Sequence, residues 1–179
     1  MAKRGLPPIL PRSIRVLILG SLPSDASIAK QQYYGHPQNH FWRVLEACGA
    51  VESAAAPYAK RVRDLKARGI AVWDLYAAAD REGSGDEKIR DPIPNAIKAL
   101  WEERGPFPVL LNGRRRNEWR RHFGDLPVEP IELPSTSPRP LHWNTPADRV
   151  AAVAEWRSAL HAALGTSRPR PRPGNAARS

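Results

Sequence analysis

The chain has 179 residues, 41% of them hydrophobic, which suits one domain of ordinary size with a substantial core. A single cysteine, Cys48, excludes an internal disulfide and a cysteine-built metal site, and the N-terminal apolar run VLILG is far too short to cross a bilayer. Lys and Arg number 28 against 18 Asp and Glu, a formal net charge of +10, and 22 of the 28 are Arg; that excess suits phosphate contact, and equally an ordinary solvated surface rich in Arg.

Taken in chain order, MAKRGLPPILPRS carries three prolines and reads as irregular. IRVLILG (14–20) is a continuous apolar run ending in Gly20, the pattern of a strand buried on both faces. FWRVLEACG (41–49) repeats Phe41, Leu45 and Cys48 at helical spacing, with Cys48 as a small buried thiol. APYAKRVRDLKARG (56–69) sets Tyr58, Val62 and Leu65 on one helix face. IAVWDLY (70–76) is a second strand, PNAIKALWEE (94–103) a helix with Ile97, Leu100 and Trp101 inward, and FPVLLNG (107–113) a third strand. RRRNEWRRHF (114–123) is a basic helix anchored by Trp119 and Phe123, and VEPIELP (128–134) is a fourth, shorter strand. The segment 145–164 opens on Thr145 as cap and Pro146 as first helical residue, with Val150, Val153, Leu160 and Leu164 as its apolar face. The sequence predicts one domain over residues 1–164 and a disordered basic Arg/Pro tail over 165–179.

Strand alternating with helix predicts an α/β fold: a three-layer α/β/α sandwich around a central, four-stranded, mainly parallel sheet. Ligands of such folds sit beyond the carboxyl ends of the strands. In GSLPSD (20–25), Gly20 permits a tight turn, Pro23 fixes its own φ, and Ser21 and Leu22 offer backbone N–H groups. The loop lacks the glycines and Gly-Lys-Ser/Thr of a phosphate loop, and the flanking glycines of a nucleophile elbow. Alone it also reads as a plain turn, with Asp25 as the N-cap of ASIAKQQ. Ser135, Thr136 and Ser137 are small hydroxyls on a Pro-stiffened loop, suited to phosphate oxygens or to an ordinary surface turn. Asn112 is an amide able to pair with a nucleobase edge, or half of an Asn-Gly turn. Arg114 and Arg115 begin GRRRNEWRR, where five Arg fall in nine residues beside the third strand. YYGHPQNHFW (33–42) sets Gln38, Asn39 and His40 among four aromatic rings, too polar for a core and too aromatic for a plain loop.

GSLPSDASI, QQYYGHPQNHFW, GIAVWDLY, VLLNG and LPSTSP, in that order, resemble the uracil-DNA glycosylase superfamily over about residues 5–164, most closely its hypoxanthine-DNA glycosylase (deoxyinosine glycosylase) branch. The resemblance implies a monofunctional enzyme that hydrolyses the N-glycosidic bond of uracil, hypoxanthine or both in DNA after flipping the base out. It implies Tyr34 as the stacking face, Asn112 as the reader of the base, backbone N–H groups of Ser21 and Leu22 beside it, and Asn39 as the catalytic residue. An amide is a poor proton acceptor, so Asn39 acts by positioning and polarity. Many members carry an acidic residue where this chain has Leu22 and Pro23; Asp25 and Asp74 are the acids able to assist. Ser135, Thr136 and Ser137 are expected on phosphates, Arg139 or Leu141 as the wedge filling the vacated stack, and Arg114 and Arg115 on the backbone. Lys30 is the lysine nearest a motif, and nothing marks it as a lyase nucleophile. The resemblance implies no cofactor and no metal: the histidines lack ligand spacing, and the four cysteines of some relatives' iron–sulfur clusters are missing. The expected setting is a monomer in the cytoplasm, on nucleoid DNA carrying deaminated bases, away from membranes. A non-catalytic DNA-binding module on the same fold is the alternative. A third, a small-molecule α/β enzyme, wants a nucleophile elbow, phosphate loop or metal cluster that the chain does not offer.

Overall fold

The computed structural model describes residues 2–81, 89–139 and 141–165. Of the expected tail, 165–179, residue Gly165 is the last of a helix, and 166–179 fall outside the described residues.

Four parallel strands form the central sheet. β2 (Val16–Gly20) lies between β3 (Ile70–Asp74) and β6 (Val109–Asn112), with β7 (Ile131–Leu133) outside β6. The register puts Gly20 beside Asp74 and Asn112 beside Leu133, so the two polar strand ends, Asp74 and Asn112, fall at one edge of the sheet. Successive strand side chains face opposite ways, and the core divides accordingly. Val16, Ile18, Ile70, Val72 and Leu110 pack with α2 (Phe41–Ala47), α3 (Tyr58–Arg68) and α6 (Pro146–Gly165). Leu17, Leu19, Ala71, Val109 and Leu111 pack on the other side with α4 (Ile97–Arg104) and α5 (Arg116–Phe123). This is the expected three-layer α/β/α sandwich.

Several elements depart from the sequence expectation. The run 70–76 is not one strand: β3 ends at Asp74, and past it the Leu75 and Tyr76 N–H groups donate to the Gly20 and Ser21 carbonyls at 2.9 and 3.1 Å. It continues as β4 (Tyr76–Asp80) in a second, antiparallel sheet of order β1–β4–β5, with β1 (Ala2–Arg4) and β5 (Arg90–Pro94). Two prolines in β5 confine it to an edge. Ser24, not Asp25, caps α1 (Asp25–Lys30), its hydroxyl accepting from Ser27 N–H at 3.2 Å. Thr145 caps α6 as expected: it accepts from Asp148 N–H, while the Asp148 carboxylate accepts from Thr145 N–H, both at 3.1 Å. The face α6 buries is rotated from the expected one. Ala152, Trp156, Leu160 and Ala163 are inside and Val150 is 71% exposed. Trp156 sets that rotation, because its indole needs both burial and a partner, and finds Pro134 O at 2.8 Å.

Candidate active site

The carboxyl ends of β2, β3, β6 and β7, with the Gly35–His40 loop, enclose a cleft of about 570 Å³. That is a volume ordinary for a ligand site. Tyr34, Asn39 and Asn112 all line it, together with Ser21, Leu22 and Asp74 on one side and Ser135, Thr136, Ser137 and Arg139 on the other.

Tyr34 is a prepared aromatic surface. Its ring stacks on Phe41 at 3.8 Å between centroids and 19° between planes, and Phe41 is fully buried. Phe41 and Trp42 open α2 and lock the loop into the core, with Trp42 Nε1 donating to Tyr33 O at 3.0 Å. Tyr33 is 3% exposed and donates to Leu6 O. Burial first, and then the Asp74 carboxylate, push its phenol well above the ordinary value. Tyr34 itself sits at φ 53°, a left-handed conformation that costs an ordinary residue energy and tends to persist where a site demands it. Lys30 Nζ bonds Gly35 O at 2.8 Å and so braces the same turn.

Both amides are oriented by the protein. Asn39 Oδ1 accepts from Phe41 N–H at 2.9 Å, an Asx turn that fixes which end of the amide is oxygen and leaves Nδ2 to donate. Asn112, 8% exposed, is held at both ends by Thr136: Oδ1 accepts from Thr136 N–H at 2.9 Å and Nδ2 donates to Thr136 Oγ1 at 2.8 Å. Thr136 is fully buried, so its hydroxyl serves Asn112 and is not turned outward toward a backbone phosphate. Thr136 O accepts from His40 N–H at 2.9 Å, and the His40 ring stacks on Trp143 at 4.5 Å. Trp143 Nε1 in turn donates to Ser135 O at 2.7 Å. The loops bearing Asn39, Asn112 and Ser135 are thereby tied into one unit.

Other expected residues lie elsewhere. Asp25 is outside the cleft and pairs with Lys3 at 2.5 Å, which leaves Asp74, 3% exposed, as the acid among the described residues that line it. Arg114 and Arg115 do not line the cleft, and Arg115 pairs with Glu118 at 2.9 Å. Farther along α5, Glu129 lies 3.8 Å from Arg116 and 3.4 Å from Arg120, so acids meet much of this basic face. The Leu141 side chain falls outside the described residues. Cys48 is buried and pushed up to about 11 by that burial.

The family model described as the uracil DNA glycosylase superfamily matches residues 7–161. The chain belongs to the uracil DNA glycosylase superfamily. A relative named hypoxanthine DNA glycosylase, from Methanosarcina acetivorans, is 41% identical over 138 residues, 76% of this chain and 87% of that protein. A protein of the same name from Methanosarcina barkeri is 41% identical over 120 residues, 66% of this chain and 76% of its own. The fold agrees as well. A solution NMR structure described as a candidate uracil DNA glycosylase from Methanosarcina acetivorans superposes with a TM-score of 0.72 at 37% identity, covering 90% of this chain and all of that one. Within this superfamily chain, Arg81 was not legible as part of the site. It is 6% exposed and donates to the Leu22 and Pro23 carbonyls behind the first loop.

Proposed function

We propose that this protein is a monofunctional DNA glycosylase that removes uracil, hypoxanthine or both from DNA and so opens base excision repair. One observation carries the reading: a supported aromatic face, Tyr34, and two oriented amides, Asn39 and Asn112, line a single cleft. The flipped base lies against Tyr34, with Asn112 at its edge. As the C1′–N bond breaks, its electron pair leaves with the base, and the sugar becomes oxocarbenium-like. Donors on the base side stabilise the departing anion, a role we assign to backbone N–H groups of the Ser21–Ser24 loop. Asn39 Nδ2 holds the water that adds to C1′, while its Oδ1 stays on Phe41 N–H, and the proton that this water gives up neutralises the departed base anion. Asp74 is the nearby carboxylate whose charge favours a cationic sugar.

No lysine is among the described residues lining the cleft, which favours hydrolysis over a lyase reaction. No helix among the described residues is long and apolar enough to span a membrane. A cytoplasmic monomer acting on nucleoid DNA fits this reading, with Ser135, Ser137 and Arg139 on flanking phosphates and Arg139 or Leu141 as the wedge.

The test is direct: duplexes carrying uracil or hypoxanthine are incubated with the protein and cleaved with alkali at abasic sites. Strand breaks lost in Asn39→Ala support the assignment. Tight duplex binding without abasic sites would instead make the chain a non-catalytic DNA-binding module.

A further inference from the structure

Four consecutive carbonyls of the first loop are taken from behind. Gly20 O accepts from Leu75 N–H at 2.9 Å and Ser21 O from Tyr76 N–H at 3.1 Å. Leu22 O accepts from Arg81 Nη1 at 3.2 Å, and Pro23 O accepts from Arg81 Nη2. The peptides here are trans, and in a trans peptide the N–H points opposite to the preceding C=O. The N–H groups of Ser21, Leu22 and Ser24 therefore face away from β4 and Arg81; all three residues line the cleft. Pro23 has no N–H to contribute. The Leu22 and Ser24 N–H groups, turned one way, form an anion-binding surface. Arg81 bonds the Leu22–Pro23 and Pro23–Ser24 peptides, and of these only the second carries an N–H; the charge-assisted bond on Pro23 O polarises that Ser24 N–H, while the one on Leu22 O fixes the turn before it.

We infer that Arg81 is a positioning residue: by holding Leu22 O and Pro23 O it fixes the turn at Pro23 and strengthens the Ser24 N–H that faces the departing base as an anion. It touches neither base nor sugar. The inference rests on the glycosylase reading above and adds to it a cause for leaving-group stabilisation.

The consequence is a change in leaving-group dependence, not merely in rate. Fluorine at C5 of uracil withdraws electrons and makes the departing anion more stable on its own, at almost no cost in size. An enzyme that stabilises the anion less well should therefore lose less on 5-fluorouracil than on uracil. The experiment measures single-turnover release of uracil and 5-fluorouracil from otherwise identical duplexes by the full-length parent, Arg81→Gln and Arg81→Lys. Arg81→Gln should slow uracil release by about 10- to 100-fold, below the loss of a direct oxyanion donor. It should slow 5-fluorouracil several-fold less, with duplex affinity unchanged. Arg81→Lys, which keeps the charge but cannot fork to two carbonyls, should fall between. If Arg81→Gln does not give a native melting transition, the same ratio in Arg81→Lys decides. Equal slowing of both bases would mean that Arg81 merely supports the fold, and no slowing would mean that the loop holds itself; either result overturns the inference. A parent enzyme that releases neither base overturns it together with uracil excision, a failure seen without any variant.

Discussion

Replacing Gly20 with Ala probes the cleft by a single methyl group. A Cβ built on Gly20 meets Asp74 Oδ1 at 2.5 Å and the Tyr34 hydroxyl at 2.9 Å, whereas ordinary contact begins near 3.4 Å. The carboxylate would have to retreat by about 0.9 Å (3.4 less 2.5) and the hydroxyl by about 0.5 Å (3.4 less 2.9). Neither can do so freely: Asp74 is 3% exposed, and the Tyr34 ring is stacked on buried Phe41. Overpacking of this kind costs about 1–3 kcal/mol. At about 2–4 °C per kcal/mol for a chain of this size, melting should fall by roughly 2–12 °C. A misplacement of about 1 Å can cost a hundredfold in rate, so half that shift in the stacking face should cost about tenfold in excision. Thermal melting and single-turnover excision check the two halves separately. A Gly20→Ala variant that melts and turns over like the parent would refute the placement of Asp74 and Tyr34 against β2.

Asn39→Ala should lose about 100-fold or more in excision while still binding lesion duplex in a gel-shift assay; Asn39→Asp keeps the acceptor for Phe41 N–H and should restore the melting temperature ahead of the activity. Thr136→Val leaves the buried Asn112 Nδ2–H without its acceptor, a loss of about 1–3 kcal/mol by denaturant melt, and Thr136→Ser should recover most of it. Arg139→Ala should reduce the slope of log affinity against log salt by about one, and Arg120→Ala, whose guanidinium faces Glu129, by less. Burial, then Arg43 and Arg149, hold the His40 imidazole below its ordinary 6.5. Its contribution to stability is therefore present above pH 6.5 and lost as pH falls through the lowered value. His40→Phe keeps a ring against Trp143 and should flatten that acid-side loss in melts taken across pH 4.5–7, a window set by the shift's direction.

The central sheet was legible because its strands are buried on both faces and therefore read as unbroken apolar runs, VLILG and VLLN above all. The second sheet was not. AKR and RDPIP have no period of their own, and their pairing is imposed by β4 between them. The register of α6 escaped because Ala152, Trp156, Leu160 and Ala163 compete with Val150, Val153 and Leu164 for the same face, and only the Trp156 bond to Pro134 O decides. At the site, the residue types of the Tyr34–Asn39 stretch were visible, because amides among aromatic rings are an odd mixture. Who holds them was invisible: the Asn112–Thr136 pair spans 24 residues and Arg81 reaches back 59 to Leu22, separations at which a sequence carries no periodic signal.

These hidden partners bear on which bases the cleft can take. Thr136 uses one lone pair of Asn112 Oδ1 and one N–H of Nδ2, leaving a single donor and a single acceptor on the amide. An amide gripped across both of its polar atoms no longer has its paired edge free to meet a base with two parallel bonds. Its remaining N–H can meet one carbonyl, the group that deamination creates in place of an amino group. At that N–H the amino group of the parent cytosine or adenine would set donor against donor, at about 1–3 kcal/mol unless the base shifts to the remaining lone pair of Oδ1. Uracil and hypoxanthine share that carbonyl, and an aromatic face such as Tyr34 stacks on either ring system. On the proposed reading this hydrogen bond sets uracil and hypoxanthine apart from their parents cytosine and adenine, whereas thymine and guanine carry the same carbonyl and have to be excluded by the shape of the cleft around the thymine methyl and the guanine amino group.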